Sequence, residues 1–437
     1  MNYIIATLGC KVNQFETQAM EARLQEHGHR PCAPGELADA VIVNTCAVTA
    51  ESGRKSRQLL RRLRDENPGA VLAVCGCYAQ LSPEEVEEIG ARVIFGAADR
   101  MAFVAAVEKA AAEGEGERNI DRPFRRRELE KLPAGALEGR TRAMLKIQDG
   151  CVNFCSYCII PYTRGRLRSL PLTDAAAETA RLRREGYREL VLTGIEVASY
   201  GVDLPGKPGL ADCIEAVARE AGDMRIRLGS LEPTVITEDF CRRTAATGKL
   251  CRHFHLSLQS GCDRTLKAMN RKYDTAFFHE RCELLRRYFP GCALTADLIT
   301  GFPGETEEDQ ARTLAFIEKC AFSDMHIFPY SRRPGTPADA MPEQCTHAVK
   351  ARRAHEAQAV AARMHRAFLE ASVGQTLPVL FETAEEGSVG HSDTYLLVKV
   401  PEGGLQGQLR DVRITGVDGE RLIGEAIRNS ECGIRNG

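Results

Sequence analysis

Short, nearly continuous apolar runs alternate with longer stretches whose apolar positions recur every three or four residues, from the first residues to about position 370. The first kind reads as strands buried on both faces, and the second as helices packed on them. Over 1–115 the pattern predicts strands at 3–7, 40–44, 71–74 and 92–95 and helices at 15–27, 50–65 and 101–112. Gly28 reads as a helix stop, Ser82 as the cap of a further helix and Pro83 as its opening residue. Such alternation builds an α/β fold with a doubly wound parallel sheet. Residues 116–138 lack the pattern and read as a linker. A second alternating series fills 139–371, with strands near 143–148, 189–195, 224–230, 253–258, 293–299 and 325–329 and a long closing helix at 347–369. Beyond 372 the period shortens to strand-like runs at 376–382, 395–400, 408–415 and 422–426, which suit a separate, small five-stranded β-barrel over 372–430.

Composition narrows the classes. The chain has 437 residues, 43% of them hydrophobic and 27% charged, as in ordinary globular domains. No apolar run reaches the length of a membrane span, and the first eleven residues, MNYIIATLGCK, lack the basic start of a signal peptide. Seventeen cysteines without secretory features point to a reducing, cytoplasmic setting. A net charge of −2 leaves any nucleic-acid contact to local patches. Two patches qualify: the helix at 50–65, with Arg54, Lys55, Arg57, Arg61, Arg62 and Arg64, and the arginines at 125–127.

The cysteines change the picture most. Cys151, Cys155 and Cys158 lie in one loop after a strand, and three soft thiolates at this spacing can hold three irons of a cubane. The fourth iron is then left for a small ligand. Three further cysteines, Cys10, Cys46 and Cys77, each follow a different N-terminal strand, and strand ends converge in a parallel sheet. Cys75 competes with Cys77 for the third position, because strand alternation points the two the same way. His355 and His365 have no ligand spacing to any cysteine and read as structural.

The two triplets together resemble the methylthiotransferase family of radical S-adenosylmethionine (SAM) enzymes. The resemblance implies a 4Fe–4S cluster on Cys151, Cys155 and Cys158 that binds SAM, and a second, auxiliary 4Fe–4S cluster on Cys10, Cys46 and Cys77 where the inserted sulfur is held. It implies that 139–371 is a partial (β/α)6, TIM-like barrel and that the C-terminal barrel is a TRAM-like RNA-binding module. It also implies SAM contacts at Tyr157, at Thr193, Gly194 and Glu196 after the second core strand, at Ser230 and Glu232 after the third, and at Gln259 and Arg271 around the fourth. The Thr193-Gly194-Ile195-Glu196 segment has only one glycine of the superfamily's usual pair. Arg271 is expected to meet the SAM carboxylate, and the cations of 164–168 to meet substrate phosphates.

Thr7-Leu8-Gly9-Cys10-Lys11-Val12-Asn13-Gln14 is similar to the bacterial subgroup that acts on N6-threonylcarbamoyladenosine beside the anticodon of tRNA. The implied reaction replaces the C2–H of adenine by C2–S–CH3, one SAM giving the methyl group and a second the radical. Lys11, Arg332 and Arg333 are then candidates to bind the substrate. The implied partners are tRNA, a reducing partner such as flavodoxin or ferredoxin, and a sulfur donor, with no membrane. The alternatives are methylthiolation of isopentenyladenosine tRNA or of a ribosomal-protein aspartate and, in another class, a non-catalytic iron–sulfur RNA-binding protein.

Overall fold

Residues 2–119 form a six-stranded, wholly parallel sheet in the order Arg30–Pro31, Asn2–Thr7, Ala40–Thr45, Val71–Gly76, Val93–Phe95, Glu117–Asn119. The structure, a computed structural model, describes residues 1–134 and 141–427. Every residue of Ala40–Thr45 and Val71–Gly76 is buried, as a sheet covered on both faces requires. Helices Lys11–Glu26 and Arg100–Glu113 bury Met20, Leu24, Phe103 and Val107 on one face. Helices Ala50–Glu66 and Pro83–Glu88 bury Leu60, Leu63 and Val86 on the other. Three details depart from the sequence pattern. The first helix begins at Lys11, directly after Cys10, four residues before its apolar periodicity becomes visible. Ser82 precedes its helix without a side-chain cap bond. The start of the expected linker, Glu117–Asn119, is instead the sheet's sixth strand, paired with Val93–Phe95.

The core carries the six expected strands. Arg142–Asp149, Glu189–Gly194 and Arg225–Leu228 pair in parallel, and so do Ser230–Leu231, His253–Gln259, Ala293–Thr300 and Asp324–Pro329. The third strand is broken at Gly229, so its two halves pair with different neighbours and carry the arc onward. A short strand, Arg168–Ser169, adds antiparallel to Gln148–Asp149. The C-terminal strands Thr376–Glu385, Gly387–Ser392, Leu397–Val400, Leu409–Asp418 and Arg421–Ala426 close into a barrel around Val379, Phe381, Val398, Val412 and Leu422. Its second strand has too many Gly and Ser residues to stand out as an apolar run. His365 is structural, its Nδ1 2.8 Å from the Ser323 carbonyl oxygen, and His355 is exposed.

The three parts are tightly docked. Helix Lys11–Glu26 packs on strands Arg142–Asp149 and Glu189–Gly194, and its Phe15 and Ala19 join the core's hydrophobic cluster. On the C-terminal side, Arg225 and Arg227 pair with buried Glu189 at 2.6 and 2.8 Å. The same two arginines donate to the carbonyl oxygens of Pro378, His391, Ser392 and Asp393 at 2.9–3.0 Å. Tyr395 of the barrel stacks between His253 and His391, with Arg227 over its ring.

Candidate active site between two cysteine loops

In the N-terminal sheet the strand order reverses beside Asn2–Thr7, and ligands of such sheets sit at the carboxyl ends of the strands flanking that point. Cys10 and Cys46 leave those two strands, and Cys77 leaves the next. Asn13 stitches the loops together: its Nδ2 donates to the carbonyls of Leu8 (2.9 Å) and Thr45 (3.0 Å), and its Oδ1 is 3.8 Å from Cys10 Sγ. Gly9, at φ +109°, lies so close to Cys46 that an added Cβ would be 2.9 Å from its sulfur. Gly76, at φ +102°, ends the third strand and turns the chain into helix Cys77–Leu81. That turn separates the two rivals: Cys77 packs with Val43 and Ala47, whereas Cys75 is buried on the opposite face with Phe95 and Phe103. Burial pushes the Cys75 thiol up to about 12. Cys77, not Cys75, stands with Cys10 and Cys46, within electrostatic reach of both.

The Cys151 loop lies at the top of the core. Gly150 (φ +79°) has no room for a Cβ, which would fall on the Arg166 carbonyl. The Met269-Asn270 segment supports the loop from below: the Ser156 amide donates to the Met269 carbonyl (3.0 Å), and Asn270 Nδ2 to the Phe154 carbonyl (3.0 Å). Phe154 stays partly exposed, stacked on Phe124 at 6.2 Å and edge-on to Tyr162. Helix Cys77–Leu81 packs on helix Ile160–Arg164, so the two cysteine loops face each other across the domain boundary.

The expected SAM residues gather round this loop. Gln148 Oε1 accepts from the Glu196 amide at 2.7 Å, and Glu196 Oε2 accepts from Asn153 Nδ2 at 2.7 Å. Burial, reinforced by nearby Glu232, pushes the Glu196 carboxyl up to about 7. Glu232 pairs with Arg271 at 2.5 Å, and Arg271 Nη1 is 3.2 Å from Cys155 Sγ. Arg271 also donates to the Tyr273 hydroxyl and the Ser257 carbonyl, so each of its three guanidinium nitrogens has a partner. Thr193 is buried, and Gly194 touches the Gln148 carbonyl where a Cβ would be at 2.8 Å. Ser230 is exposed. Tyr157 and Gln259, together with Val48, Thr49, Asp297 and Phe328, line a cavity of about 260 Å³ between the two domains.

Beneath both loops lies a buried charge network that periodicity does not reveal. Glu16 accepts from Arg100 (3.1 Å), Lys146 (3.1 Å) and Arg164 (2.5 Å), and Asp149 lies 3.3–3.4 Å from Lys146, Arg164 and Arg168. Arg164 Nη2 also donates to Asn13 Oδ1 (2.8 Å). The expectation that the cations of 164–168 meet phosphates is therefore corrected for Arg164 and Arg168, which are buried; Arg166 is exposed. Arg126, too, is held inside, by Asp121, Gln80 and the Thr163 carbonyl. Its neighbours Arg125 and Arg127 are exposed.

The three candidate substrate cations separate. Lys11 lines a second cavity, of about 310 Å³, with Gln14, Arg142, Arg227 and Tyr395. Arg332 pairs with Asp339 at the surface (2.8 Å). Arg333 is half-buried against helix Ala50–Glu66, and its Nε has no partner among the described residues.

The donor sets fit iron–sulfur clusters. Partial burial pushes Cys151 and Cys158 up to about 12, so without metal these thiols stay protonated, and binding metal would release their protons. Among the described residues no three His, Cys, Asp or Glu side chains close on a single ion. A cubane does not need that, since each thiolate takes a different iron.

A cysteine loop at the top of a partial α/β barrel defines a radical SAM enzyme, and residues 145–317 match the Radical SAM superfamily. Residues 2–96 match the uncharacterized protein family UPF0004. The chain is 38% identical to the threonylcarbamoyladenosine tRNA methylthiotransferase MtaB of Bacillus subtilis, over 90% of this chain and 88% of that one. It is 34% identical to the protein of the same name from Thermotoga maritima, over 96% and 95%. It is 32% identical to the tRNA-2-methylthio-N(6)-dimethylallyladenosine synthase of Carboxydothermus hydrogenoformans, over 98% and 96%. The chain belongs to the tRNA methylthiotransferase family of radical SAM enzymes, which use SAM and 4Fe–4S clusters. In fold alone it is similar to the radical SAM methyltransferase TsrM of Kitasatospora setae, with a TM-score of 0.56 at 15% identity, covering 77% of this chain and 75% of that one.

Proposed function

We infer that this protein converts N6-threonylcarbamoyladenosine, beside the anticodon of tRNA, to its 2-methylthio derivative. The observation that carries this reading is the pair of facing cysteine loops, in a chain alike to threonylcarbamoyladenosine methylthiotransferases over nearly its full length. We assign the auxiliary cluster to Cys10, Cys46 and Cys77 and the SAM-binding cluster to Cys151, Cys155 and Cys158. When bound, SAM would supply the radical and the methyl group, the cluster beside it would pass on the electron and the auxiliary cluster would hold the sulfur, because an aromatic C–H is too weakly acidic for a side-chain base.

The chain's own residues bind and orient. Glu196, held by Asn153 and Gln148, offers a carboxylate to the SAM ammonium. The Glu232–Arg271 pair fixes a cation against Cys155, and Thr193, Gly194, Ser230, Gln259 and Tyr157 complete the SAM surroundings. The 260 Å³ cavity between the domains receives the base, with Phe328 and Tyr330 as apolar walls. Lys55 and Arg61, exposed on helix Ala50–Glu66, meet tRNA phosphates together with the C-terminal barrel. Electrons come from a reducing partner such as flavodoxin or ferredoxin, and sulfur from a separate donor. No helix among the described residues is long and apolar enough to cross a membrane, and we place the reaction in the cytoplasm with its tRNA.

The test compares two tRNAs, one bearing threonylcarbamoyladenosine and the other isopentenyladenosine, by mass spectrometry of their nucleosides. The first is expected to gain the methylthio group and the second to stay almost unmodified, since a prenyl group leaves polar partners of the site unpaired. Preference for the prenylated tRNA would overturn the substrate assignment.

A further inference from the structure

Two guanidinium groups of the core stand at the N-terminal cysteine triplet, and neither comes from the domain that owns those cysteines. Arg164, on helix Ile160–Arg164, is fully buried and shares Asn13 Oδ1 with Cys10 Sγ. It lies within electrostatic reach of Cys10, Cys46 and Cys77. Two of its nitrogens are bound to Asn13, Glu16 and Asp149, but its buried Nε–H has no partner among the described residues. Arg333, on the loop after the last core strand, lies within reach of Cys46, beside Tyr78 and Gly53. Its loop is pinned to the N-terminal domain by Ser331, whose Oγ accepts from the Ala50 amide at 2.8 Å. Its Nε–H is also buried and without a partner.

A buried N–H without a partner is destabilising, and a charged one more so, so two such donors beside one thiol triplet call for an acceptor. Among the described cations of the N-terminal domain, Arg100 is bound to Glu16 and Lys11 lines the other cavity. We propose that Arg164 and Arg333 are positioning residues of the auxiliary cluster, donating to its sulfurs and offsetting its negative charge from across the domain boundary. The proposal rests on Cys10, Cys46 and Cys77 as the ligands of that cluster. Reduction adds one electron to an already anionic thiolate-bound cluster, so nearby cations and N–H donors raise its potential. The core thereby sets how readily the other domain's cluster accepts an electron.

The test uses the full chain with Cys151, Cys155 and Cys158 all replaced by Ala, so that the auxiliary cluster alone is read by electron paramagnetic resonance during a redox titration. Arg333→Met, which breaks no ion pair, is expected to lower the potential. At the parent's midpoint the reduced-to-oxidised ratio should fall about tenfold, equivalent to about 59 mV for one electron. Arg333→Lys, which keeps the charge, should recover most of the shift. Loss of iron in Arg333→Met with retention in Arg333→Lys would support the same role. Arg164→Met should act in the same direction, and Arg333 keeps the test open if the buried Arg164 variant fails to fold. An unchanged potential in Arg333→Met overturns the proposal while leaving the ligands standing. A parent that holds no iron overturns the ligand assignment and the proposal with it.

Discussion

At the scale of single residues, the site is governed by what burial does to charge. Glu196 is a carboxyl raised to about 7, chiefly because it is buried and also because Glu232 is near. A group whose folded pKa lies above its unfolded value binds more protons in the fold, so stability falls as pH rises from about 4.5 towards and beyond 7. Metal-free protein should therefore lose stability between pH 5.5 and 8, with a contribution from this group on the order of 2–3 kcal/mol. Glu196→Gln, which mimics the neutral form, should remove that part of the slope in denaturant titrations at the two pH values. An equal slope in both proteins would show that Glu196 titrates normally. Cys151, Cys155 and Cys158 were legible as candidate ligands from residue type and spacing, whereas Cys10, Cys46 and Cys77, far apart in the chain, stood out only through the family resemblance. Arg164 and Glu16 were not legible, since they are 148 residues apart and nothing local marks them as partners. Arg271 was legible as a cation of the site, but not that Glu232 and Cys155 would occupy it.

At the scale of elements, the alternating pattern foretold nearly every strand and helix, because buried parallel strands and their covering helices differ so clearly in period. It failed where an element was short or sparsely apolar: Cys77–Leu81, Glu117–Asn119 and Gly387–Ser392. The first of these decides between Cys75 and Cys77, since only the turn at Gly76 puts the two thiols on opposite faces. The loop after the first strand is equally exacting. Gly9→Ala would have to hold φ near +109° and place a methyl 2.8 Å from Cys46 Cβ. We expect it to displace Cys10 from Cys46 and remove one cluster, lowering iron from about eight to about four per chain, while reductive SAM cleavage persists. Full iron in Gly9→Ala would mean that the loop is looser than drawn.

At the scale of the molecule, docking matters as much as domains. The sequence pattern suggests a small C-terminal barrel that could be cut away cleanly. The structure ties it to the core through Glu189, Arg225 and Arg227, whose remaining donors end on barrel carbonyls. Truncation before Ser372 would take four carbonyl acceptors from Arg225 and Arg227 and open that face of the core to water, at a cost of about 1–3 kcal/mol. The truncated protein should melt roughly 2–12 °C lower, at about 2–4 °C per kcal/mol. An unchanged melting temperature would restore the view of the barrel as a detachable module.

The Glu16 network carries a consequence for how the chain is made. Glu16 and Arg100 emerge from the ribosome early, but Lys146 and Arg164, which complete their charge balance, follow only when the core is under synthesis. At about 5–20 residues per second, the 148 residues between Glu16 and Arg164 take roughly 7–30 s to translate. Between the completion of the sheet at Asn119 and the arrival of Arg164, the nascent N-terminal domain therefore carries a buried acid whose charge balance is still incomplete.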